Sequence, residues 1–225
     1  MILLSKRRRL TGKANVPNTS PPTIAVRKPS FLSSRDTHSL RATWLGHACF
    51  YVEFPGGCRV LFDPVFTPRC SPLSWLGPKR YTDMPCSITD IPFIDIVVIS
   101  HNHYDHLSYP TVQEIFRKNP NVQFFVPLGI KQWFVDLGIH NVTELDWWES
   151  RHVRLSTSEH ALKDGSKERL VTGRVDESNS DAYIHATIGC LPCQHTSART
   201  AFDKAHTLWA SWSIESGGRK IWFGG

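Results

Sequence analysis

The chain has 225 residues, of which 40% are hydrophobic and 20% charged, and a formal net charge of +6. That length supports one domain with a real core, and no apolar run approaches the roughly 18 residues that a membrane span requires. The charge is lopsided, since residues 1–41 hold nine Lys/Arg against one Asp. The body is therefore close to neutral, without the basic patch and interleaved aromatics expected of a nucleic-acid binder.

In chain order, residues 1–40 read as a basic disordered tail, with Pro17, Pro21, Pro22 and Pro29 set against regular structure. Met1–Leu4 precede Lys6–Arg9, the reverse of the order in a secretory signal. Such a basic arm can bind anionic lipid or nucleic acid or act as a nuclear address, beside the first reading of a solvated, disordered leader. From residue 41 a single domain is predicted to run to 225. Residues 43–54 read as one strand, Pro55-Gly56-Gly57 as a turn and 58–63 as the returning strand. A long loop rich in Pro, Ser and Trp covers 64–92. The continuous apolar run 94–100 reads as a buried strand. A helix over 111–118, opened by Pro110, leads to a strand over 122–126. A second helix over 129–137 ends at Gly138, and 141–145 is strand-like. Residues 156–182 are polar and form a predicted surface insertion. A strand over 183–188 and a hairpin of 207–214 with 219–223 close the chain. Alternating strands and helices with a hairpin at each end predict an α/β (α+β layered) fold with helices covering sheets.

Six cysteines are present, and without a secretory signal they read as packed thiols rather than a disulfide framework. Cys190-Leu191-Pro192-Cys193 has no second Cys/His pair at zinc-knuckle spacing.

The densest chemistry lies in His101-Asn102-His103-Tyr104-Asp105-His106, directly after the buried strand. Four candidate ligands within six residues suit a borderline-soft ion such as Zn²⁺. His101, His103 and Asp105 are spaced by two, so in an extended segment they share a face, and His106 points elsewhere unless the chain turns. The natural division gives His101 and His103 to one ion, Asp105 and His106 to another. Paired ions roughly 3.5–4 Å apart suit hydrolysis of phosphate esters. Asp63, at a strand end before Pro64, reads as a turn residue. Of the adjacent Trp147 and Trp148, one is expected to face the core and the other a groove; either could border a lipid-binding cleft, with core packing the first reading.

His-x-His-x-Asp-His after an apolar strand resembles the metallo-β-lactamase superfamily. Ordered blocks resemble one branch of it, the N-acylphosphatidylethanolamine-hydrolysing phospholipase D family. They include Trp44-Leu45-Gly46-His47-Ala48, Asp63-Pro64-Val65-Phe66, Gly77-Pro78-Lys79-Arg80, Glu144–Glu149, Gln194-His195 and Trp209–Ser213. The resemblance implies an αββα sandwich with metals at one edge of its sheets. It adds His195 as the third ligand of the first ion, makes Asp105 the candidate catalytic carboxylate, and leaves His47 near the site but not a ligand. It also implies a zinc-dependent phosphodiesterase that releases N-acylethanolamine and phosphatidic acid from a phospholipid, inside the cell and peripheral to internal membranes. A lactonase-like hydrolase and a non-catalytic zinc- or membrane-binding protein stay open beside it. The family's pattern continues after Phe223-Gly224-Gly225 with an Asp that bridges two zinc ions. On that pattern the second half of the sandwich is expected to be incomplete here, one zinc at most is expected to bind, and turnover is expected to be impaired.

Overall fold

The computed structural model describes residues 25–156 and 183–225; the predicted insertion therefore lies outside the described residues but for Ser156. Three antiparallel strands open the domain: β1 (Arg41–Gly46), β2 (Cys49–Glu53) and β3 (Arg59–Phe62). The single strand predicted over 43–54 is thus two. The reason is local. Gly46 (φ 105°) and His47 (φ 51°) adopt left-handed backbone and reverse the chain within one turn.

Three strands then join in parallel: β4 (Ile96–Val98), β5 (Gln123–Pro127) and β6 (Val142–Leu145). The sheet order is β1-β2-β3-β4-β5-β6. Helix α1 (Tyr109–Lys118) connects β4 to β5, with Pro110 in its first turn, where a missing N–H costs nothing. Helix α2 (Lys131–Val135) connects β5 to β6 and is shorter than predicted. Gly129 and Gly138, both at positive φ, mark where the chain enters and leaves it.

A second sheet is antiparallel in the order β10-β9-β8-β7. It comprises β7 (Ser150–Ser156), β8 (Tyr183–Leu191), β9 (Ser211–Ser216) and β10 (Arg219–Phe223). β7 has no counterpart among the predicted elements. The β9–β10 turn lies so close to the β2–β3 turn that a Cβ on Gly217 would fall 1.9 Å from the carbonyl oxygen of Pro55.

The two sheets pack face to face. Val52, Val60, Phe62, Ile96, Val98 and Phe125 from the first meet Val153, Leu155, Ile184, Ile188, Trp212 and Ile214 from the second. Each such side chain, fully buried, contributes about 1.5–3 kcal/mol. The other face of the first sheet buries Tyr51, Leu61, Val97 and Phe124 against Val112 and Ile115 of α1 and Phe134 of α2. The architecture is therefore layered α/β. Among the described residues helices cover the first sheet only, so the outer helical layer expected over the second sheet is not among them. Trp212 ties the sheets together, its indole N–H donating to Ile99 O at 3.0 Å.

Residues 25–40 contain no helix or strand, yet residues 31–35 are docked on the domain. Phe31 sets its ring edge against Tyr51, and Arg35 forms a two-pronged ion pair with buried Asp95. The packed body thus begins before residue 41, the boundary read from the sequence. No helix among the described residues is long and apolar enough to cross a membrane.

Candidate metal centre

Four chain segments meet at one edge of the sandwich: the β1–β2 turn, the ends of β3 and β4, and the segment following β8. Their meeting follows from topology. Parallel pairing of β3 with β4 brings Asp63 and Ser100 side by side. The backbone N–H of Ala210, just before β9, donates to Ser100 O at 2.9 Å and draws the second sheet to the same place.

The turn after β4 closes tightly, because the N–H groups of His106 and Leu107 both donate to His103 O (3.0 and 2.8 Å). His101 and His103 consequently face one way. His101 Nε2 lies 2.8 Å from His103 Nδ1 and 2.9 Å from His195 Nε2. A second cluster sits beside it: His47 Nε2 is 3.1 Å from Asp105 Oδ2, and His106 Nε2 is 3.8 Å from the same oxygen. Within each cluster all potential ligand atoms fall within 4.8 Å of one another. The His101 and His106 rings, 4.1 Å apart between centroids, join the two.

The electrostatics suit cation binding. Burial pushes His101 down to about 2, and the neighbouring His106, His195 and His103 push the same way. His101 is therefore neutral at physiological pH, with a lone pair to offer. His103 is lowered too, by burial and His195. The hydrogen bond from His47 holds Asp105 below the usual carboxylate range, with His106 assisting against the opposing effect of burial. For His106 burial again acts downward, but the hydrogen bond to Asp63 and the charges of Asp63 and Asp105 outweigh it and leave the group raised.

Asp63 departs from its reading as a turn residue. It does adopt the positive φ of a tight turn (39°), but its side chain is buried and fully engaged. It accepts from Ser100 N (2.7 Å) and Ser100 Oγ (2.5 Å), and contacts His106 Nδ1 at 2.6 Å. Binding Nδ1 fixes the ring and leaves His106 Nε2 facing Asp105 and His47, the arrangement by which a carboxylate orients a ligating histidine. His47 likewise stands inside the second cluster, closer than its reading as a bystander.

All five predicted ligands, His101, His103, Asp105, His106 and His195, thus converge on one edge. Two imidazole nitrogens, His103 Nδ1 and His195 Nε2, crowd the Nε2 of neutral, buried His101. Tetrahedral zinc with bonds of 2.0–2.1 Å would seat them about 3.3 Å apart, a small opening from the distances seen. The donor set fits such an ion. A cavity of about 120 Å³ adjoins it, lined by His101, His106, His195, Cys193, Trp209 and Ala210. A larger open groove of about 460 Å³ runs along α1, lined by Pro110, Gln113 and Arg117 and none of these histidines. The six cysteines are free thiols, in keeping with the packed reading.

Two sheets, helices on the first, and histidines with a carboxylate at the shared edge define a layered α/β fold with a candidate metal centre. The sequence profile of the β-lactamase superfamily domain matches residues 58–225, and the chain belongs to that superfamily. Among curated relatives it is 35% identical to N-acyl-phosphatidylethanolamine-hydrolyzing phospholipase D 1 of Caenorhabditis elegans, over 96% of this chain and 56% of that protein. It is 34% identical to the mitochondrial N-acyl-phosphatidylethanolamine-hydrolyzing phospholipase D of Saccharomyces cerevisiae, over 80% of this chain and 32% of that one. An uncharacterized protein of Mycobacterium tuberculosis is 33% identical over 84% of this chain and 43% of its own length. The chain thus spans about half, or less, of the relatives it matches.

Proposed function

We propose that the chain is the metal-binding part of a zinc-dependent phosphodiesterase that hydrolyses N-acylphosphatidylethanolamine to N-acylethanolamine and phosphatidic acid. One observation carries this reading: two adjacent ligand clusters share one sheet edge, in a chain similar over most of its length to two proteins named for that hydrolysis. His101, His103 and His195 would hold one zinc ion; Asp105 and His106, with His47 in reach, would offer a weaker second place. Bound zinc lowers the pKa of water toward neutrality and polarises a phosphoryl oxygen.

The chain's own groups prepare the site for that chemistry. Burial keeps His101 unprotonated, so protons compete poorly for its nitrogen. Asp63 holds the His106 ring in one orientation. Asp105 stays ionised and supplies the negative charge that a cation needs. The loop of 69–79, pinned at its base by Cys70 N to Pro78 O (3.0 Å), exposes Leu73, Trp75 and Leu76. Arg80, next along, reaches Gly46, the neighbour of His47. An apolar loop of this kind, followed by a residue that reaches the β1–β2 turn, suits a lipid substrate. The basic residues of 1–40 would hold the protein to an anionic internal membrane in the cell.

The test incubates the zinc-loaded full chain with vesicles containing N-acylphosphatidylethanolamine and follows both products by mass spectrometry, with and without chelator. Chelator-sensitive release of both supports the reading. Opening of a soluble lactone with the lipid left intact would replace it by a lactonase. Zinc binding with no turnover of either would leave a metal-binding protein without chemistry.

A further inference from the structure

Four residues after His195, Arg199 reaches back across the edge to the ligand turn. Its Nη1 donates to two carbonyl oxygens, Asn102 O at 2.8 Å and Leu107 O at 3.0 Å. These carbonyls flank the ligands. Asn102 lies between His101 and His103, and Leu107 directly follows His106. The guanidinium also stacks on Tyr104, 4.1 Å from the ring centre, and faces Trp133 of α2 at 5.5 Å. Tyr104 itself stands between His103 and Asp105. One side chain thus touches the turn at two points within its ligand set and at one point just after it.

Arg199 is in turn held from behind. Asp203 accepts from the Arg199 N–H with both oxygens (3.0 and 3.1 Å) and from the Thr200 N–H at 2.7 Å. The segment carrying His195 is therefore a braced arm, and its contact with the turn spans more than ninety residues of sequence. Lysine could not reproduce it, because a point ammonium neither stacks as a plane nor offers the same fixed fork.

We infer that Arg199 is a positioning residue: it sets the distance between His195 and the turn bearing His101, His103, Asp105 and His106, and so sets affinity for the ion. This deepens the proposed function and rests on it, since it presumes that these residues bind a metal. Arg199 touches no predicted ligand side chain, and its effect passes through Asn102, Tyr104 and Leu107.

The experiment measures Zn²⁺ affinity of the full chain by competition with a chromophoric chelator, for wild type, Arg199→Met and Arg199→Lys. Urea midpoints of the metal-free proteins are measured alongside. Loss of a group supporting metal ligands commonly weakens affinity 10–100-fold, so Arg199→Met is expected to lose about tenfold or more. Arg199→Lys should fall between, keeping one charged donor and losing the stack. With Co²⁺ as probe, the visible absorption of Arg199→Met should shift, reporting altered ligand geometry. A mere fold pin would lower the urea midpoint and leave the affinity of the folded molecules within twofold of wild type; that result overturns the inference and spares the proposed function. A wild type that binds no zinc sinks both. Should Arg199→Met fail to fold, Asp203→Asn loosens the brace while leaving the guanidinium, and unchanged zinc affinity in that variant overturns the inference equally.

Discussion

β3 and β4 carry a buried carboxylate at each end, and the two ends work differently. At the entry to β4, Asp95 meets the guanidinium of Arg35 at 2.6 and 2.7 Å and also accepts the N–H of Arg59 at 2.9 Å. Arg59, fully buried, spends its own guanidinium on the carbonyls of Phe54, Cys58 and Ser34, and Arg35 also caps Gly57 O. Every charge there faces a permanent opposite charge or a carbonyl. At the exit from β3, Asp63 binds Ser100 and His106, and His106 in turn faces more imidazole and Asp105. Guanidinium stays charged at all relevant pH, whereas imidazole offers a lone pair. Charge held against charge or carbonyl is therefore the mark of the structural end, and imidazoles converging on one another beside a carboxylate the mark of the candidate binding end.

The sharpest way to break this contrast is to exchange what each end loses. Asp95→Ala should cost about 3–5 kcal/mol of stability, because Arg35 and the Arg59 N–H lose their buried partner together. Urea unfolding of the metal-free protein measures it, and zinc affinity of the remaining folded protein should hold. His101→Ala should do the reverse. It removes the central nitrogen of the three-histidine cluster and should lower zinc affinity by more than the roughly 10–100-fold typical of outer partners. Its urea midpoint should stay near wild type, since taking away a crowded, desolvated imidazole also relieves repulsion. If both variants lost stability and metal together, the two ends would not be separable.

Asp63→Asn is a finer cut at the binding end. The amide keeps the shape but lacks the charge that favours His106 in its present orientation. Zinc affinity should fall about tenfold, within the range for such supporting carboxylates. Isothermal titration would register the change, and an unaltered affinity would return Asp63 to the role of a turn residue.

Much of the candidate binding end was legible in the sequence, since four of its candidate ligands lie within six residues and need only a turn to converge. What stayed hidden depends on long-range pairing. Asp63 precedes His106 by 43 residues, and only the parallel register of β3 and β4 joins them. His47 was absorbed into an over-long strand. The glycine before it was the available signal, because Gly46 permits the reversal that lifts His47 toward Asp105. β7 was missed because Val153 and Leu155 give only two apolar beats in seven residues, too few to separate a strand from a loop. Its pairing with β8, residue for residue from Ser150 with Gly189 to Ser156 with Tyr183, is what makes it a strand. At the structural end Arg35 lies in a Pro- and Ser-rich stretch, and nothing local marks Asp95 as its partner.

Acid should expose the same contrast in the metal-free chain. His101 sits at about 2 in the folded state against an ordinary value of 6.5. Between those values the unfolded chain takes up a proton that the folded chain refuses, so stability should fall as pH drops below about 6.5. His103, lowered as well, adds to the slope. His106, raised, opposes it, because its contribution is complete below the unfolded value and fades as pH rises through the folded one. One proton corresponds to at most about 1.4 kcal/mol per pH unit. Urea midpoints at pH 5 and 7.5 should therefore diverge for wild type and converge for His101→Gln.

His47 offers the smallest and most selective change. Its side chain is 55% exposed and its contact is with Asp105, itself 42% exposed, so His47→Ala should alter stability by no more than about 0.5 kcal/mol. The first zinc, on His101, His103 and His195, should bind as before. The second cluster would keep only Asp105 and His106, two donors where a catalytic zinc usually has three from protein. Metal analysis after equilibrium dialysis against rising zinc should then show the first equivalent unchanged and the second displaced to about tenfold higher concentration. An unchanged second equivalent would make His47 a partner of Asp105 in the metal-free chain alone, and the binding end would owe its weaker place to Asp105 and His106 by themselves.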